Sequence, residues 1–229
     1  MKFDKLAIHG GRPAVTDTLK RSLKPWPQPC PRTAERLKQV YLSGKWSFNG
    51  ACEQEFCRKF ADYCGARHGV FMVNGTVTLE SALHALGVKA GDEVIVPGNT
   101  WIATAMAAAY LGAKPVFVDV EPDTLCLDPA QVRRAITRKT KAVIPVHLFG
   151  QMARVEEFAP QLVEQGISIV EDCAQAIGAT RIVKGKIQRA GGMGELGCFS
   201  FFPTKNLGCF GDGGMISISS ERLSKRLRS

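Results

Sequence analysis

The sequence lacks the long apolar runs that mark membrane spans and secretory signals. No stretch of roughly 18 consecutive apolar residues occurs, and the opening MKFDKLAIHGGRPAV has no apolar segment long enough for a signal peptide. With 229 residues, of which 45% are hydrophobic and 22% charged, the composition is typical of a soluble protein with one large α/β domain. We therefore expect a cytoplasmic protein with no membrane partner.

The sequence also lacks cysteine pairs at metal-ligand spacing, although it contains eight cysteines. No CxxC pair is present, and several cysteines stand in apolar runs such as LGCFSFF and VEDCAQ, where cysteine acts as a small hydrophobe. We therefore expect reduced structural thiols and no metal site. Cys52, Cys57 and Cys64, on one predicted helix, are the remaining alternative for metal binding.

Nucleotide-binding and nucleic-acid-binding signatures are missing as well. Neither a Walker A loop nor GxGxxG occurs, which disfavours an NTPase and a nicotinamide-dependent dehydrogenase. The formal net charge of +9 would suit nucleic-acid binding, but the basic residues are scattered and have no aromatic residues interleaved for base stacking. We expect no nucleic-acid partner and a basic surface that attracts an anionic substrate or cofactor.

Proline-rich and helical segments come first along the chain. Residues 1–31 carry five prolines and are predicted to form an N-terminal arm, and residues 32–229 are predicted to form one domain. Two helices are expected at 32–43 and 50–64, separated by the turn SGKWSFNG. The final segment SSERLSKRLRS begins as a helix and stops before any C-cap residue, so we expect the domain to be incomplete at its C-terminal end.

Short β-rich runs alternate with amphipathic stretches in the rest of the chain. This alternation predicts an α/β fold with three layers, in which a mainly parallel sheet is covered by helices on both faces. Residues that follow such strands meet at the carboxyl edge of the sheet, where α/β proteins bind ligands. The predicted strands are 70–73, 94–97, 115–120, 142–149, 167–172, 197–202 and 215–219.

Four segments place chemically useful residues at this edge. Lys205 follows an apolar strand in CFSFFPTKNLG, where flanking Phe and Cys would favour the neutral amine that attacks an aldehyde; a single loop lysine is more often a solvated charge. Asp172 ends ISIVED and could hold a proton on a pyridine nitrogen, or could instead cap a helix. Gly75 and Thr76, in a strand-turn-helix segment, could bind phosphate. Trp101, after VIVPG, could stack on an aromatic ring or pack in the core.

Together these segments resemble the DegT/DnrJ/StrS family of sugar aminotransferases, which depend on pyridoxal 5′-phosphate (PLP). The segments NGT, GDEVIVPGNTWIATA, PVFVDVEPDT, PVHLFGQ, VEDCAQAIGA, CFSFFPTKNLG and GDGG stand in the family's order from about Gly44 onward. The resemblance implies the large domain of the fold-type I PLP enzymes. It also implies that the family's C-terminal small domain is absent from this chain.

The resemblance assigns roles to seven residues. It implies that Lys205 binds PLP covalently and shuttles a proton, and that Asp172 pairs with the pyridinium nitrogen. Gln175 would approach the 3-hydroxyl group and Trp101 would stack on the ring. The phosphate would be held by Gly75, Thr76 and Ser200.

The resemblance also implies a reaction and its partners. Family members that dehydrate 3-deoxysugars carry histidine where this chain has Lys205, so the lysine favours transamination. We expect glutamate or glutamine as donor, a keto-sugar nucleotide or a keto-cyclitol as acceptor, and a homodimer when the protein is full length. LAIHGGRPAV resembles the members that act on keto-cyclitols. The alternative is a fragment of such an enzyme with no activity of its own.

Three further residues lie in the segments that carry the predicted site. Many relatives have His where this chain has Ile177, a change expected to affect specificity more than chemistry. His147, in PVHLFG, could touch substrate or be a packed, hydrogen-bonded histidine. Glu171 should point to the face of its strand opposite to Asp172, so we exclude it from the site.

Overall fold

The computed structural model describes residues 5–24, 26–45 and 50–229. The chain divides into two compact units, residues 1–44 and residues 45–229. This division falls later in the chain than the predicted end of the arm at residue 31, because the second helix belongs to the first unit. The predicted turn at 43–50 includes residues 46–49, which lie outside the described residues.

The first unit contains two helices, α1 (Asp17–Ser22) and α2 (Pro31–Leu42), after a short 3-10 turn at Ala7–His9. Thr16 caps α1 by accepting a hydrogen bond from the backbone N–H of Leu19. Pro31 opens α2 at a position where no amide hydrogen is needed. None of the three elements has a buried residue, so among its described residues this unit lacks a core of its own.

The second unit contains six helices and nine strands among its described residues. The helices are α3 (Ala51–Cys64), α4 (Gly75–Ala85), α5 (Ile102–Tyr110), α6 (Pro129–Ala135), α7 (Ala159–Glu164) and α8 (Glu221–Arg228). The strands are β1 (His68–Met72), β2 (Glu93–Pro97), β3 (Lys114–Val118), β4 (Thr140–Val143), β5 (Ser168–Asp172), β6 (Thr180–Val183), β7 (Lys186–Arg189), β8 (Leu196–Ser200) and β9 (Gly214–Ile218).

Seven strands form one mainly parallel sheet in the order β1-β9-β8-β5-β4-β2-β3. Only β9 runs against its neighbours within this sheet, and it lies between the parallel strands β1 and β8. The predicted α/β class with a mainly parallel sheet is therefore confirmed. Because six of these strands point the same way, the segments that follow them come out at one edge of the sheet.

Alternate residues of the strands pack on opposite faces of the sheet, as the pleat requires. On one face, Val94, Val96 and Val170 join the apolar cluster that includes α4, α5 and α8. On the other face, Ile95 and Ile169 pack with α6 and α7. The remaining part of that second face, around Phe199, is covered by α3. The result is the three-layer α/β/α arrangement expected from the sequence.

The fourth predicted strand is shorter than expected. The run 142–149 was predicted as one strand, but β4 ends at Val143. Pro145 has no amide hydrogen to donate to a neighbouring strand, and after it a single bridge joins Val146 to Asp172. The chain then makes a 3-10 turn in which Phe149 adopts a left-handed backbone conformation with φ of 54°.

The hairpin of β6 and β7 was not predicted. Its strands are short, and charged residues interrupt their apolar pattern in TRIVKGKIQR. Its two-residue turn, Lys184 and Gly185, has φ of 48° and 75°, and positive φ at both positions is the signature of the tight hairpin turns that match strand twist.

All eight cysteines are free thiols. On α3, Cys57 and Cys64 are buried while Cys52 is exposed, so the three thiols considered for metal binding do not share one face. Burial raises the pKa of Cys64 to about 12, as expected of a thiol that packs as a hydrophobe. Within the described part of the chain, no helix is both long and apolar enough to cross a membrane.

Gly197 in β8 is predicted to tolerate no side chain. A Cβ at this position would lie 2.4 Å from Gly191 Cα and 2.5 Å from Ser217 Oγ. We expect Gly197→Ala to lower the free energy of unfolding by about 1–3 kcal/mol through overpacking, measured by urea denaturation. In the control Gly98→Ala, the new Cβ would meet only Val118 O at 3.7 Å, and a comparable loss there would contradict the steric explanation.

Candidate active site

The carboxyl edge of the sheet collects the residues that the sequence singled out. Gly75 and Thr76 follow β1, and Trp101 follows β2. Asp172 is the last residue of β5, and Gln175 lies just beyond it. Ser200 ends β8, and Lys205 follows in the next loop. All seven predicted site residues thus stand at strand ends of the same edge.

Asp172 is a buried carboxylate whose two oxygens are both hydrogen-bonded. Thr104 Oγ1 donates to Oδ2 over 2.9 Å, and the backbone N–H of Ala174 donates to Oδ1 over 3.1 Å. The segment after Asp172 forms turns and no helix begins there, so the alternative role as a helix cap does not apply. The two donors fix the carboxyl group in one orientation at the sheet edge.

Burial raises the pKa of Asp172, because the interior disfavours the charged form. Three groups act against this effect: the backbone N–H of Ala174, the hydroxyl of Thr104 and the charge of Lys205. A positively charged partner such as a pyridinium ring would act in the same direction.

Lys205 is half-buried in a tight loop after β8. Its backbone N–H donates to Phe202 O over 2.8 Å, which closes the turn FPTK. Cys209 N–H donates to Phe201 O over 2.7 Å, so the loop folds back on its own strand. The lysine is therefore carried by a short closed loop and not by a long mobile one.

The turn after β1 begins helix α4 with a side-chain cap. Asn74 has an extended backbone, and its Oδ1 accepts a hydrogen bond from the N–H of Val77 over 3.0 Å. The N–H of Thr78 bonds to Asn74 O. Because the first N–H groups of a helix have no partner within the helix, those of Gly75 and Thr76 remain to bind an anion. Because Asn74 accepts the N–H groups of Val77 and Thr78, the N–H groups of Gly75 and Thr76 are the two at this helix start that a ligand could bind.

Gly75 and Ser200 lie against each other across the sheet edge. A Cβ at position 75 would be 2.7 Å from Ser200 Cβ and 3.2 Å from its Oγ, so only glycine permits this approach. The Ser200 hydroxyl therefore lies beside the helix start of α4. The amides of Gly75 and Thr76 and the hydroxyl of Ser200 thus lie at one place, with the polarity that a phosphate group requires.

Trp101 is the N-cap residue of α5 and is 75% exposed, so it does not pack in the core. Thr104 stands one helical turn later, and its backbone N–H donates to Trp101 O over 3.1 Å. The sequence reasoning missed Thr104. A signal was available, because Thr104 is a lone small polar residue in the Ala-rich helix IATAMAAAY, three positions after Trp101 and hence on the same side of the helix.

Gln175 is oriented by a neighbouring loop. The backbone N–H of Phe149 donates to Gln175 Oε1 over 3.0 Å, which leaves the NH₂ group as the end of the amide that can donate to a ligand. This contact depends on the left-handed backbone of Phe149, a conformation that non-glycine residues adopt at a cost and mainly at functional sites. Sequence reasoning did not find this role for Phe149.

Ile177 does not belong to the polar part of the site. Its half-buried side chain packs against an apolar cluster that includes Cys173, Ala176 and Phe199. Isoleucine at this position therefore extends the core on that face of the sheet.

His147 and Glu171 form a buried hydrogen-bonded pair on the face of β5 away from Asp172. His147 Nε2 lies 2.8 Å from Glu171 Oε2, and Nδ1 accepts the N–H of Ala153. Since Nδ1 accepts, the proton is on Nε2 and points to the carboxylate. His147 is thus a packed, hydrogen-bonded histidine, which is the second of the two roles considered for it from the sequence.

Glu171 also holds the segment before β8. Its two oxygens accept the backbone N–H groups of Gly191, Met193 and Gly194 over 3.0, 2.7 and 2.7 Å. Cys173 Sγ lies within 4.8 Å of the His147–Glu171 pair, but the ligand atoms of that pair are already committed to these hydrogen bonds. This cluster therefore fastens the fold and is not arranged to bind a metal.

The fold and the site define a class of protein that known structures share. An aminotransferase from Psychrobacter cryohalolentis superposes with a TM-score of 0.84 at 32% identity, over 90% of this chain and 51% of that one. NtdA of Bacillus subtilis with bound pyridoxamine phosphate superposes with a TM-score of 0.77 at 32% identity, over 85% and 42%. These are fold-type I PLP aminotransferases, and the second unit has the fold of their large domain.

The chain belongs to the DegT/DnrJ/EryC1/StrS aminotransferase family, whose sequence profile matches residues 30–229. The L-glutamine:2-deoxy-scyllo-inosose aminotransferase of Streptomyces paromomycinus is 41% identical over 97% of this chain and 52% of its own length. The UDP-N-acetyl-3-dehydro-α-D-glucosamine 3-aminotransferase of Acidithiobacillus ferrooxidans is 48% identical over 73% and 44%. The chain thus spans about half the length of these relatives.

We predict that Glu171→Gln destabilises the fold. In this variant the amide oxygen of the new side chain can still accept from the N–H groups of Met193 and Gly194. The NH₂ group of the same amide then faces two other donors, the N–H groups of Gly191 and His147. Opposed donors in a buried site leave polar groups unpaired, so we expect a loss of about 2–3 kcal/mol in the free energy of unfolding, measured in urea at neutral pH. Glu164→Gln, at an exposed position, should leave the free energy of unfolding nearly unchanged. Equal losses in the two variants would argue against the hydrogen bonds of Glu171 as the cause.

Asp172 predicts a pH dependence of the cofactor-free chain. Its raised pKa means that the folded chain binds this proton more tightly than the unfolded chain does. From about pH 3.8, the usual value for aspartate, upward through the raised pKa, the native chain should therefore lose stability relative to Asp172→Asn. Urea unfolding of both chains over this range should show the difference growing in favour of the Asn variant; a flat difference would contradict the prediction.

Proposed function

We propose that this chain is the cofactor-binding part of a PLP-dependent aminotransferase that transfers an amino group from glutamate or glutamine to a keto-sugar nucleotide or a keto-cyclitol. The observation that carries the proposal is that Asp172, a buried carboxyl group with both oxygens held, ends β5 while the loop with Lys205 follows the neighbouring parallel strand β8. A buried carboxylate and a lysine at the same sheet edge are suited to a cationic aromatic ring that also carries an aldehyde.

The residues of the site fit PLP. The approach of Gly75 to Ser200 leaves a cradle that any side chain at position 75 would fill. Gly75, Thr76 and Ser200 would hold the phosphate group, and Trp101 would cover one face of the ring. Asp172 would face the ring nitrogen, and the NH₂ group of Gln175 would donate to the 3-hydroxyl oxygen.

When bound, PLP supplies an electron sink for the substrate carbon that gains or loses the amino group. Lys205 Nζ would hold the cofactor covalently and, when free, would move a proton to or from that carbon. The carboxylate of Asp172 would keep a proton on the ring nitrogen, which makes such a ring an effective sink. Trp101 would orient the ring by stacking and exclude water from that face.

The lysine supports amino transfer over dehydration. Members of the family that dehydrate deoxysugars have histidine at this position, and an imidazole cannot form the covalent link to the cofactor. The short closed loop that carries Lys205 follows β8, the strand next to the one that ends at Asp172. A lysine on this loop could serve both as the anchor of the cofactor and as the proton carrier.

The relatives support two acceptor classes. Those named for 2-deoxy-scyllo-inosose align over 96–99% of the chain, and those named for UDP-linked keto-sugars over 73–74%. The N-terminal part is therefore shared with the first group, and this supports a keto-cyclitol as the preferred acceptor. A keto-sugar nucleotide is the second candidate, supported by the higher identity of 46–48% over the shared segment.

We further propose that the full-length protein is a homodimer that acts in the cytoplasm. Both proposals come from the family resemblance. Exposed apolar side chains at the carboxyl edge, among them Phe149, Phe202 and Phe210, support an assembly in which this edge is covered.

Lys205→Ala is predicted to abolish covalent cofactor binding. The purified chain mixed with PLP should develop an absorbance band in the violet range that survives gel filtration, because the cofactor is bonded to Nζ. The Ala variant should lose this band, and Lys186→Ala, on the exposed hairpin, should keep it. If the native chain with added PLP shows no band, the proposed function fails for this chain.

The acceptor is tested in the same preparation. With glutamine as donor, scyllo-inosose and a panel of UDP-linked keto-sugars should be compared for amino-product formation by mass spectrometry, with Lys205→Ala as the blank. We expect product from scyllo-inosose first. A stable cofactor band without product from any acceptor would favour the alternative that this chain binds PLP but does not turn over alone.

A further inference from the structure

Thr104 joins two parts of the candidate site that are far apart in sequence. Its side chain is completely buried. Its hydroxyl donates to Asp172 Oδ2 over 2.9 Å, across 68 residues of sequence. Its backbone N–H donates to Trp101 O over 3.1 Å, and its Oγ1 lies 2.9 Å from Thr100 Oγ1.

The direction of these hydrogen bonds follows from counting protons. A threonine hydroxyl has one hydrogen, and in Thr104 that hydrogen points to Asp172, which as a carboxylate can only accept. Thr104 Oγ1 must therefore accept from Thr100, so the order of donation is Thr100 to Thr104 to Asp172. In such a series of hydrogen bonds each bond polarises the next one. The Asp172 carboxylate therefore receives a stronger hydrogen bond than an isolated hydroxyl group would donate.

We propose that Thr104 is a positioning residue that holds the Asp172 carboxylate ionised and aimed at the cofactor ring nitrogen, while its backbone fixes the turn carrying Trp101. The inference rests on the proposed function, because it concerns how this chain binds PLP. The N–H of Ala174 holds the other oxygen of Asp172, so loss of Thr104 would free the carboxyl group to rotate about that single remaining bond.

Thr104 is the contact of Asp172 that a substitution can remove without changing a charged group nearby. The charge of Lys205 favours the ionised form of Asp172. Glu171 and the neutral His147 are hydrogen-bonded to each other on the opposite face, where further backbone donors hold Glu171. Thr104→Val leaves all of these in place and removes one hydroxyl at nearly constant volume. The neutral methyl group cannot donate, so Oδ2 would be buried without a partner, which disfavours the ionised carboxylate.

The test uses the native chain, Thr104→Val and Thr104→Ser, each loaded with PLP labelled with ¹⁵N in the ring. The nitrogen chemical shift reports directly whether the ring nitrogen is protonated. We expect the pH midpoint for its deprotonation to fall by about one unit in Thr104→Val, since the ionised carboxylate loses one of its two hydrogen-bond donors. The Ser variant keeps the hydroxyl and should retain the native midpoint.

A control separates positioning from general loss of structure. Thr140→Val removes another buried threonine hydroxyl, one that accepts only from Thr137 N–H at the start of β4. It should lower the unfolding temperature without moving the ring-nitrogen midpoint. A shift equal to that of Thr104→Val would overturn the proposal.

A double-mutant cycle checks that Thr104 acts through Asp172. If it does, Thr104→Val should weaken PLP affinity about tenfold in the native background and change it little in Asp172→Asn, because the partner is already altered. Equal losses in both backgrounds would overturn the inference. A native midpoint in Thr104→Val, in a chain that still binds PLP through Lys205, would also overturn it while leaving the proposed function standing.

Discussion

Two neighbouring acids at the end of β5 impose the main constraint on this molecule. The pleat of the strand sends Glu171 and Asp172 to opposite faces, and both are buried. A buried carboxylate is tolerated only where donors surround it, so each face had to supply its own set. Glu171 is satisfied by His147 and the segment at 191–194. Asp172 receives two donors and keeps room for a cationic partner.

The two acids connect β5 to different parts of the fold. The Glu171 side ties β5 to the segment that leads into β8, and β8 in turn ends at Ser200 and leads to Lys205. The Asp172 side ties β5 to α5, at whose start Trp101 stands. The two adjacent residues thus act on opposite faces of the sheet. Glu171 stabilises the structure, and Asp172 belongs to the candidate site.

Much of the fold could be predicted because its signals are local. Short apolar runs identified all seven strands of the main sheet, and the carboxyl-edge rule predicted that Lys205, Asp172 and Gly75 share one edge. What escaped prediction depended on contacts distant in sequence. The Thr104–Asp172 bond spans 68 residues, and Phe149, with its left-handed backbone, bonds to Gln175, 26 residues away. The β6–β7 hairpin was missed because its exposed strands carry charges that conceal their alternation.

The contact between Gly75 and Ser200 has a consequence for how the protein matures. The first residue of α4 and the last of β8 are brought together only after β1, β9 and β8 have paired, and β9 is contributed by the last part of the chain. The approach of Gly75 to Ser200 therefore depends on these three strands being in register. A phosphate-bearing ligand that bound only where the two residues meet would stabilise the paired strands by mass action, so binding at this edge would also tie the last described strand to the first.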